Sequence, residues 1–305
     1  MNSVNTEQLD VPSEAPGNPR LRIILLVAFG ALLVIAFGNP LWNLFQLAFN
    51  SEIQSYILLI PFISLYLFKM APKQLERPIL RSSVAGAWLA GLGGLVALVA
   101  YLVLGGTGHV THNDALTLAT SSFLMLLLAT ALATLGSRAL RPRLFAICIL
   151  AFMIPLPTAA LEFITIGLQR ASAYVGEVML RMTGMPVMRE GMMMQLPGLR
   201  IVVAEECSGI RSTLVLFITG VVASYLFLRT GWKRTVLVSA ILPLAILRNA
   251  FRIATIAWLT VNVDSRVIHS PLHHRGGPLF FVLSLLPLFL LLWRLRKSEG
   301  SMAIR

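Results

Sequence analysis

Apolar residues along the chain collect in eight segments that are separated by polar or basic stretches. The segments run over about 23–48, 53–68, 84–105, 115–135, 144–157, 210–228, 235–260 and 278–293. A helix needs about 20 apolar residues to cross a bilayer, so the second, fifth and eighth segments are short unless their flanks extend them. The pattern predicts an all-α polytopic membrane helical bundle of about eight spans.

The composition supports a membrane protein. Hydrophobic residues make up 57% of the chain, charged residues only 12%, and the mean hydropathy is +0.80. A soluble domain carries about twice that share of charge. The net charge of +12 could indicate a nucleic-acid partner. We exclude that partner, because basic residues in short connections between spans are explained by membrane orientation, and membrane lipids are the expected surroundings.

The basic residues predict the orientation. Most of the 25 Lys and Arg residues fall in alternate connections: Arg20 and Arg22; Lys69, Lys73, Arg77 and Arg81; Arg138, Arg141 and Arg143; Arg229, Lys233 and Arg234; and Arg294, Arg296, Lys297 and Arg305. With eight spans these connections share one side, which is then the cytoplasm. Residues 1–22 are expected to form a cytoplasmic tail and 23–305 a single integral membrane domain, with both termini inside.

The long connection at about 158–209 is predicted to lie on the outer side. Residues 158–183 mix apolar and charged positions, which suits a helix at the outer membrane surface. The following residues alternate around Pro197-Gly198, a pair typical of a tight turn, so a small extracytoplasmic hairpin is expected there.

Neither the methionine run nor the cysteines indicate a metal. Met192 to Met194 could bind copper, but apolar packing is the favoured interpretation because no ladder of His or Cys accompanies them. Cys148 and Cys207 lie too far apart in the sequence to suggest a disulfide framework or a metal cluster. Cys148 sits in an apolar run and is interpreted as a small filler. The sequence therefore predicts no metal and no organic cofactor.

Cys207 is the first residue that suggests chemistry. It lies where the hairpin ends and the sixth span begins, and a helix N-terminus favours a thiolate. Arg211, one turn later, adds positive charge, whereas Glu205 and Glu206 oppose it.

Two further polar groups are predicted on the same side of the membrane. Arg248, Asn249 and Arg252 lie within the seventh span, where charge is costly and normally faces a cavity or a partner. Snorkelling to the interface is the alternative for Arg252. His273 and His274 lie just before the last span and can exchange protons near neutral pH; a solvated loop or a metal pair is the alternative there.

A Cys, an Arg and a His on one membrane face are the parts of a cysteine acyl-transfer site. The competing class is a non-enzymatic membrane protein, either a transporter or a polysaccharide-assembly component. A transporter is expected to show internal repeats and helices broken near the midplane, which are not evident here. An intramembrane serine protease using Ser208 is a weaker alternative, because no serine-protease frame surrounds that residue.

An ordered set of motifs resembles the exosortase/archaeosortase family of membrane cysteine transpeptidase-like enzymes over about 154–281. The motifs are Pro155-Leu156-Pro157, Pro186-Val187 with Arg189 and Gly191, Leu196-Pro197-Gly198, Glu205-x-Cys207-Ser208-Gly209-Ile210-Arg211, Asn249-x-x-Arg252, and His273-x-x-x-Gly277 before Phe280 and Phe281.

The resemblance implies a catalytic set of Cys207, Arg252 and His273, with Arg248 as the substitute for Arg252 and His274 as the neighbour of His273. It also implies a protease or transpeptidase of the bacterial cell inner membrane. Its substrates would be exported proteins with a C-terminal sorting tail, cleaved at the outer face and often linked to exopolysaccharide production. The acyl-enzyme would be resolved by water, an amine or a glycolipid.

Overall fold

A computed structural model describes residues 19–71, 84–108, 110–203, 208–264, 266 and 277–302, and most of them are helical. The α-helices in chain order are α1 (Pro19–Ala36), α2 (Gly38–Asn50), α3 (Ile60–Met70), α4 (Val84–Gly105), α5 (His112–Leu135), α6 (Ser137–Leu140), α7 (Leu144–Ile149), α8 (Thr158–Met182), α9 (Ile210–Phe227), α10 (Gly231–Ser239), α11 (Ile241–Asn262) and α12 (Gly277–Met302). Short 3₁₀ helices occupy Ser55–Leu59, Arg141–Arg143 and Leu150–Met153.

Each of the eight predicted apolar segments coincides with helix, which confirms the polytopic helical architecture. In the described chain, five helical stretches are long and apolar enough to cross a membrane. They are α4, α5, α9, the stretch Gly231–Asn262 that comprises α10 and α11, and the part of α12 over Leu279–Glu299. The count reaches seven if each of two bent helix pairs is one span. Eight crossings therefore stay a prediction.

A bend inside the first apolar segment explains why hydropathy alone does not count the crossings. The helices Arg20–Ala36 and Gly38–Asn50 meet at 70°. A hydropathy pattern records how apolar a segment is but not whether it turns. The last helix is longer than its apolar segment. The segment was predicted over 278–293, whereas α12 continues to Met302.

By its internal packing the described chain divides into two compact units. The first comprises the described parts of residues 1–51 and 57–156, and the second those of 52–56 and 157–305. In the first unit, α4 and α5 approach closely at Gly94, where a Cβ would lie only 2.8 Å from Leu126 Cγ. Ser122 Oγ donates to the Gly94 carbonyl oxygen at 2.8 Å. Small residues at such contacts let apolar helices pack through their backbones.

In the second unit, α8 packs along α11. Ala173 and Leu180 of α8 share a buried apolar cluster with Ile253 and Ala257 of α11. A Cβ on Gly176 of α8 would lie 3.6 Å from the carbonyl oxygen of Ala250, so the two helices are close there. The predicted helix over 158–183 is confirmed, and its place at the outer membrane surface stays a prediction.

A small antiparallel sheet follows α8. Its strands are β1 (Met188–Glu190), β2 (Met193–Leu196) and β3 (Leu199–Val202), in the order β1-β2-β3. The predicted hairpin is the β2–β3 pair, and its turn contains Gly198 at a φ of +71°. The third strand, β1, is added by a second turn at Gly191. Met194 is fully buried in the cluster below the sheet, the packing role expected for it.

A buried carboxylate fastens this sheet to α8. Glu177 Oε2 accepts from Arg189 Nε of β1 at 2.7 Å, and Glu177 Oε1 lies 2.7 Å from Arg181 Nη2 on its own helix. The Glu177 side chain is only 11% exposed, so both guanidinium groups compensate a largely desolvated charge. This carboxylate therefore links strand β1 to α8 within the second unit.

The end of α12 lies beside the connection between α9 and α10. Glu299 accepts hydrogen bonds from the backbone N–H groups of Thr230, at 2.8 Å, and Arg229, at 3.0 Å. Lys233 is buried, and its Nζ donates to Ser298 Oγ at 2.8 Å. Two of the basic connections assigned to the cytoplasm are thus neighbours, which agrees with their predicted location on one side.

Candidate functional site

The turn that follows Cys207 leads directly into α9. Gly209 has a φ of +70°, in the left-handed region that favours glycine, and the helix begins at Ile210. The Gly209 carbonyl oxygen accepts from the backbone N–H of Thr213 at 2.9 Å and from Thr213 Oγ1 at 2.8 Å. The predicted helix start immediately after Cys207 is therefore confirmed.

Three of the predicted site residues lie outside the described part of the chain: Cys207, His273 and His274. Their roles stay predictions. The described residues that flank Cys207 most closely are Val203 and Ser208, both about 1% exposed. The site can thus be built from the elements that lead into and out of these segments.

Arg248 and Asn249 lie against the turn that follows Cys207. Arg248 is 8% exposed, and its Nη2 donates to the Gly209 carbonyl oxygen at 3.3 Å and lies 3.5 Å from Thr213 Oγ1. Asn249 is 3% exposed. A Cβ on Gly209 would lie 3.1 Å from Asn249 Oδ1, so this side chain also contacts the turn. The structure therefore brings these two predicted support residues to the Cys207 end of α9.

One nitrogen of the Arg248 guanidinium makes no hydrogen bond within the described part of the chain. Its Nη1 is buried and has no hydrogen-bond partner among the described residues. A buried donor without a partner is costly, and in a membrane protein a buried cation is normally kept for function. Arg248 is therefore a candidate for a functional role.

Arg252 lies one helical turn after Arg248 on the same face of α11 and is half-buried. The neighbouring Phe251 meets Phe280 edge to face, with ring centroids 6.1 Å apart. Phe280 lies near the start of α12, seven residues after His273 in the sequence. The helix that carries Arg252 therefore contacts both the start of α9 and the start of α12.

Arg211 is placed differently from the other support residues. Its side chain is 55% exposed, and its Nη1 lies 3.4 Å from Oε2 of Glu52, which is 88% exposed. Solvent screens such a pair, so it adds little to the local field. The placement of Arg211 therefore gives little support to its predicted contribution to a thiolate.

Gln169 is a site neighbour that the sequence did not reveal. It is 7% exposed on α8, and its Nε2 donates to the Val203 carbonyl oxygen at 3.0 Å. Val203 N in turn donates to the Met192 carbonyl oxygen at 2.9 Å. No motif includes Gln169, and it stands beside Arg170 in a stretch of mixed polarity. Only the packing of α8 distinguishes it.

The turn beyond α11 carries an ionised carboxylate. Asp264 Oδ1 accepts from the backbone N–H of Arg266 at 2.8 Å, and this bond, followed by the Arg266 side chain, lowers the pKa of the Asp264 carboxyl. Asp264 is therefore charged near neutral pH at the start of the segment that leads to His273. In the described part of the chain, no three His, Cys, Asp or Glu side chains are grouped as a metal site requires.

Comparison with protein families decides the classification. Residues 42–290 match the family described as transmembrane exosortase. The chain belongs to the transmembrane exosortase family. The match covers most of the chain and includes residues of both compact units, so the resemblance drawn from residues 154–281 is confirmed and extends on the N-terminal side to residue 42. Comparison with curated proteins and with solved structures found no match.

Proposed function

We propose that this exosortase is a membrane-embedded cysteine protease or transpeptidase that processes the C-terminal sorting tails of exported proteins. Cys207 is the nucleophile, Arg252 stabilises the oxyanion, and His273, with His274 as its neighbour, transfers the proton. The reaction takes place at the outer face of the bacterial inner membrane. Family membership over residues 42–290 supports this class of chemistry.

One observation carries the proposal: α11 joins the elements on which all three groups depend. Arg248 of α11 bonds the turn that follows Cys207. Phe251, next to Arg252, packs on Phe280 of α12, the helix that His273 precedes. The start of α9, which Cys207 precedes in the sequence, and the start of α12, which His273 precedes, thus both contact the helix that carries Arg252, and this supports the proposal.

The chemistry follows from these residue types. The Cys207 thiolate attacks the scissile carbonyl carbon, and the resulting oxyanion is bound by the Arg252 guanidinium. The intermediate collapses, the C–N bond breaks, and His273 gives a proton to the departing amine of the sorting tail. The remaining thioester is cleaved by water or by an amine or glycolipid acceptor, which restores the thiolate. No metal or organic cofactor takes part in these steps.

The substrate is recognised within the membrane and at its outer face. The hydrophobic part of the sorting tail lies among lipids, and the processing is linked to exopolysaccharide production. The family match extends through both compact units, which supports one membrane domain over 23–305.

Ser208 is a poor alternative nucleophile, because it is 1% exposed and its Oγ accepts from the backbone N–H of Ile210 at 3.3 Å.

The experiment is co-expression with an exported protein of the same genome that carries a sorting tail. Cys207→Ala should abolish processing at normal protein abundance, and Cys207→Ser should be severely impaired because an alcohol ionises far less than a thiol. Cys148→Ala should retain activity, since Cys148 is an exposed residue of α7 in the first unit. Full processing by Cys207→Ala would reject the mechanism.

A further inference from the structure

The described residues on the two sides of the Cys207 segment, Val203 and Gly209, are bonded from two different helices. On its N-terminal side, Gln169 Nε2 of α8 donates to the Val203 carbonyl oxygen at 3.0 Å. On its C-terminal side, Arg248 Nη2 of α11 donates to the Gly209 carbonyl oxygen at 3.3 Å. Both donors are more than nine-tenths buried. Each bond joins a side chain to a backbone carbonyl within a few residues of Cys207.

We infer that Gln169 and Arg248 are positioning residues, which set the place of the Cys207 segment relative to Arg252. The inference rests on the proposed function and adds two residues to its site. Arg248 lies one turn from Arg252 on α11, so its bond to Gly209 fixes the distance between the start of α9 and the helix that carries Arg252. Gln169 fixes the other side of the same segment from α8.

The two anchors, Gln169 and Arg248, lie on helices that pack against each other. The approach of Gly176 to Ala250 holds α8 against α11, with Ile253 in the same contact. The bonds to Val203 and Gly209 therefore start from two helices that pack directly against each other. A nucleophile and an oxyanion donor must hold their mutual geometry closely, since a misplacement of about 1 Å can lower a rate about 100-fold.

Neither anchor is needed to form α9 itself. The Gly209 carbonyl oxygen also accepts from Thr213 N at 2.9 Å and from Ser212 Oγ at 3.0 Å. Removal of Arg248 leaves these bonds within the helix in place. The Arg248 bond instead connects one helix to another, which is what a positioning role requires.

The test uses full-length protein in a Cys148→Ala background, where Cys207 is the sole cysteine. The variants are Gln169→Met and Arg248→Met, which remove the donors. The matched controls are Thr165→Val on α8 and Thr260→Val on α11. Both threonines are buried, and neither bonds Val203 or Gly209: Thr165 Oγ1 has no partner among the described residues, and Thr260 Oγ1 donates within its own helix. Two quantities are measured: the rate of substrate processing and the rate at which iodoacetamide alkylates Cys207.

Both donor variants should lower the processing rate about 10- to 100-fold while the unprocessed substrate still co-purifies. In both donor variants, the alkylation rate of Cys207 should differ from the rate in the two control variants. Arg248→Lys, which keeps a cationic donor, should recover part of the lost processing rate. Should Arg248→Met fail to accumulate, Gln169→Met decides the outcome by itself.

Processing and alkylation rates of Gln169→Met equal to those of Thr165→Val would overturn the inference. The alkylation rate needs no substrate, so it separates this inference from the proposed function. If Cys207→Ala processes the substrate normally, the proposed function fails, whereas the alkylation rates still report whether the two anchors position the segment.

Discussion

The guanidinium of Arg248 lies 3.3 Å from the carbonyl oxygen of Gly209, and this contact ties the middle of α11 to the turn that follows Cys207. It separates the roles of the two arginines that the sequence presents as substitutes for one another. Arg248 is buried and directed at the protein backbone, whereas Arg252, one turn later, is only half-buried. This difference supports the proposal that Arg252, rather than Arg248, binds the oxyanion.

Gly209→Ala should impair both folding and activity. The left-handed φ of +70° costs an L-residue about 1–2 kcal/mol. In addition, a Cβ at this position would lie 3.0 Å from Arg248 Nη2, so the anchored side chain must shift. We expect a lower melting temperature in detergent and at least a tenfold loss of processing rate, about 1.4 kcal/mol in the barrier.

Gly184→Ala is the matched control for that variant. Gly184 has a φ of +79°, but a Cβ there would meet nothing within 4 Å. Gly184→Ala should therefore lower the melting temperature by a similar backbone cost and leave the processing rate close to normal. Equal processing rates of the two alanine variants would show that the contact between Gly209 and Arg248 does not affect processing.

Arg252→Lys should lose much of the processing rate, and Arg252→Ala should lose more. Lysine keeps the charge but not the planar fork of donors, and the loss of one oxyanion donor typically costs about 10²–10³ in turnover. Co-purification of unprocessed substrate should survive in both variants.

The snorkelling alternative makes the opposite prediction for Arg252, because lysine reaches the interface as well as arginine does. A nearly silent Arg252→Lys would support it. Normal processing by Arg252→Lys together with a severe loss in Arg248→Lys would show that the oxyanion role belongs to Arg248.

Reporter fusions test the predicted membrane orientation. Fusions after Gly184 and within 264–270 should report the outer side, and fusions after Arg234 and at the C-terminus should report the cytoplasm. The reason is the placement of Lys and Arg in alternate connections. A cytoplasmic location for the α8–α9 connection would remove Cys207 from the face at which exported substrates arrive.

The helices were predictable from the sequence because their apolar runs are long, and the β2–β3 turn because Pro197-Gly198 interrupts an alternating pattern. The bend between α1 and α2 and the added strand β1 were not, since neither changes the hydropathy of its segment. At the site, Arg248 and Asn249 stood out as polar residues inside a span. Gln169 did not, because its role depends on its hydrogen bond to the Val203 carbonyl oxygen, and Val203 lies 34 positions away in the sequence.

The most direct test of the central claim is to trap the acyl-enzyme. A purified complex with substrate is denatured rapidly in acid, digested, and examined by mass spectrometry for the peptide that contains Cys207. We predict a thioester that links Cys207 to the new C-terminus of the processed substrate, released by hydroxylamine and missing from Cys207→Ala. Processed substrate formed by a Cys207→Ala enzyme, or an adduct carried by Ser208 or Cys148 instead, would contradict the account.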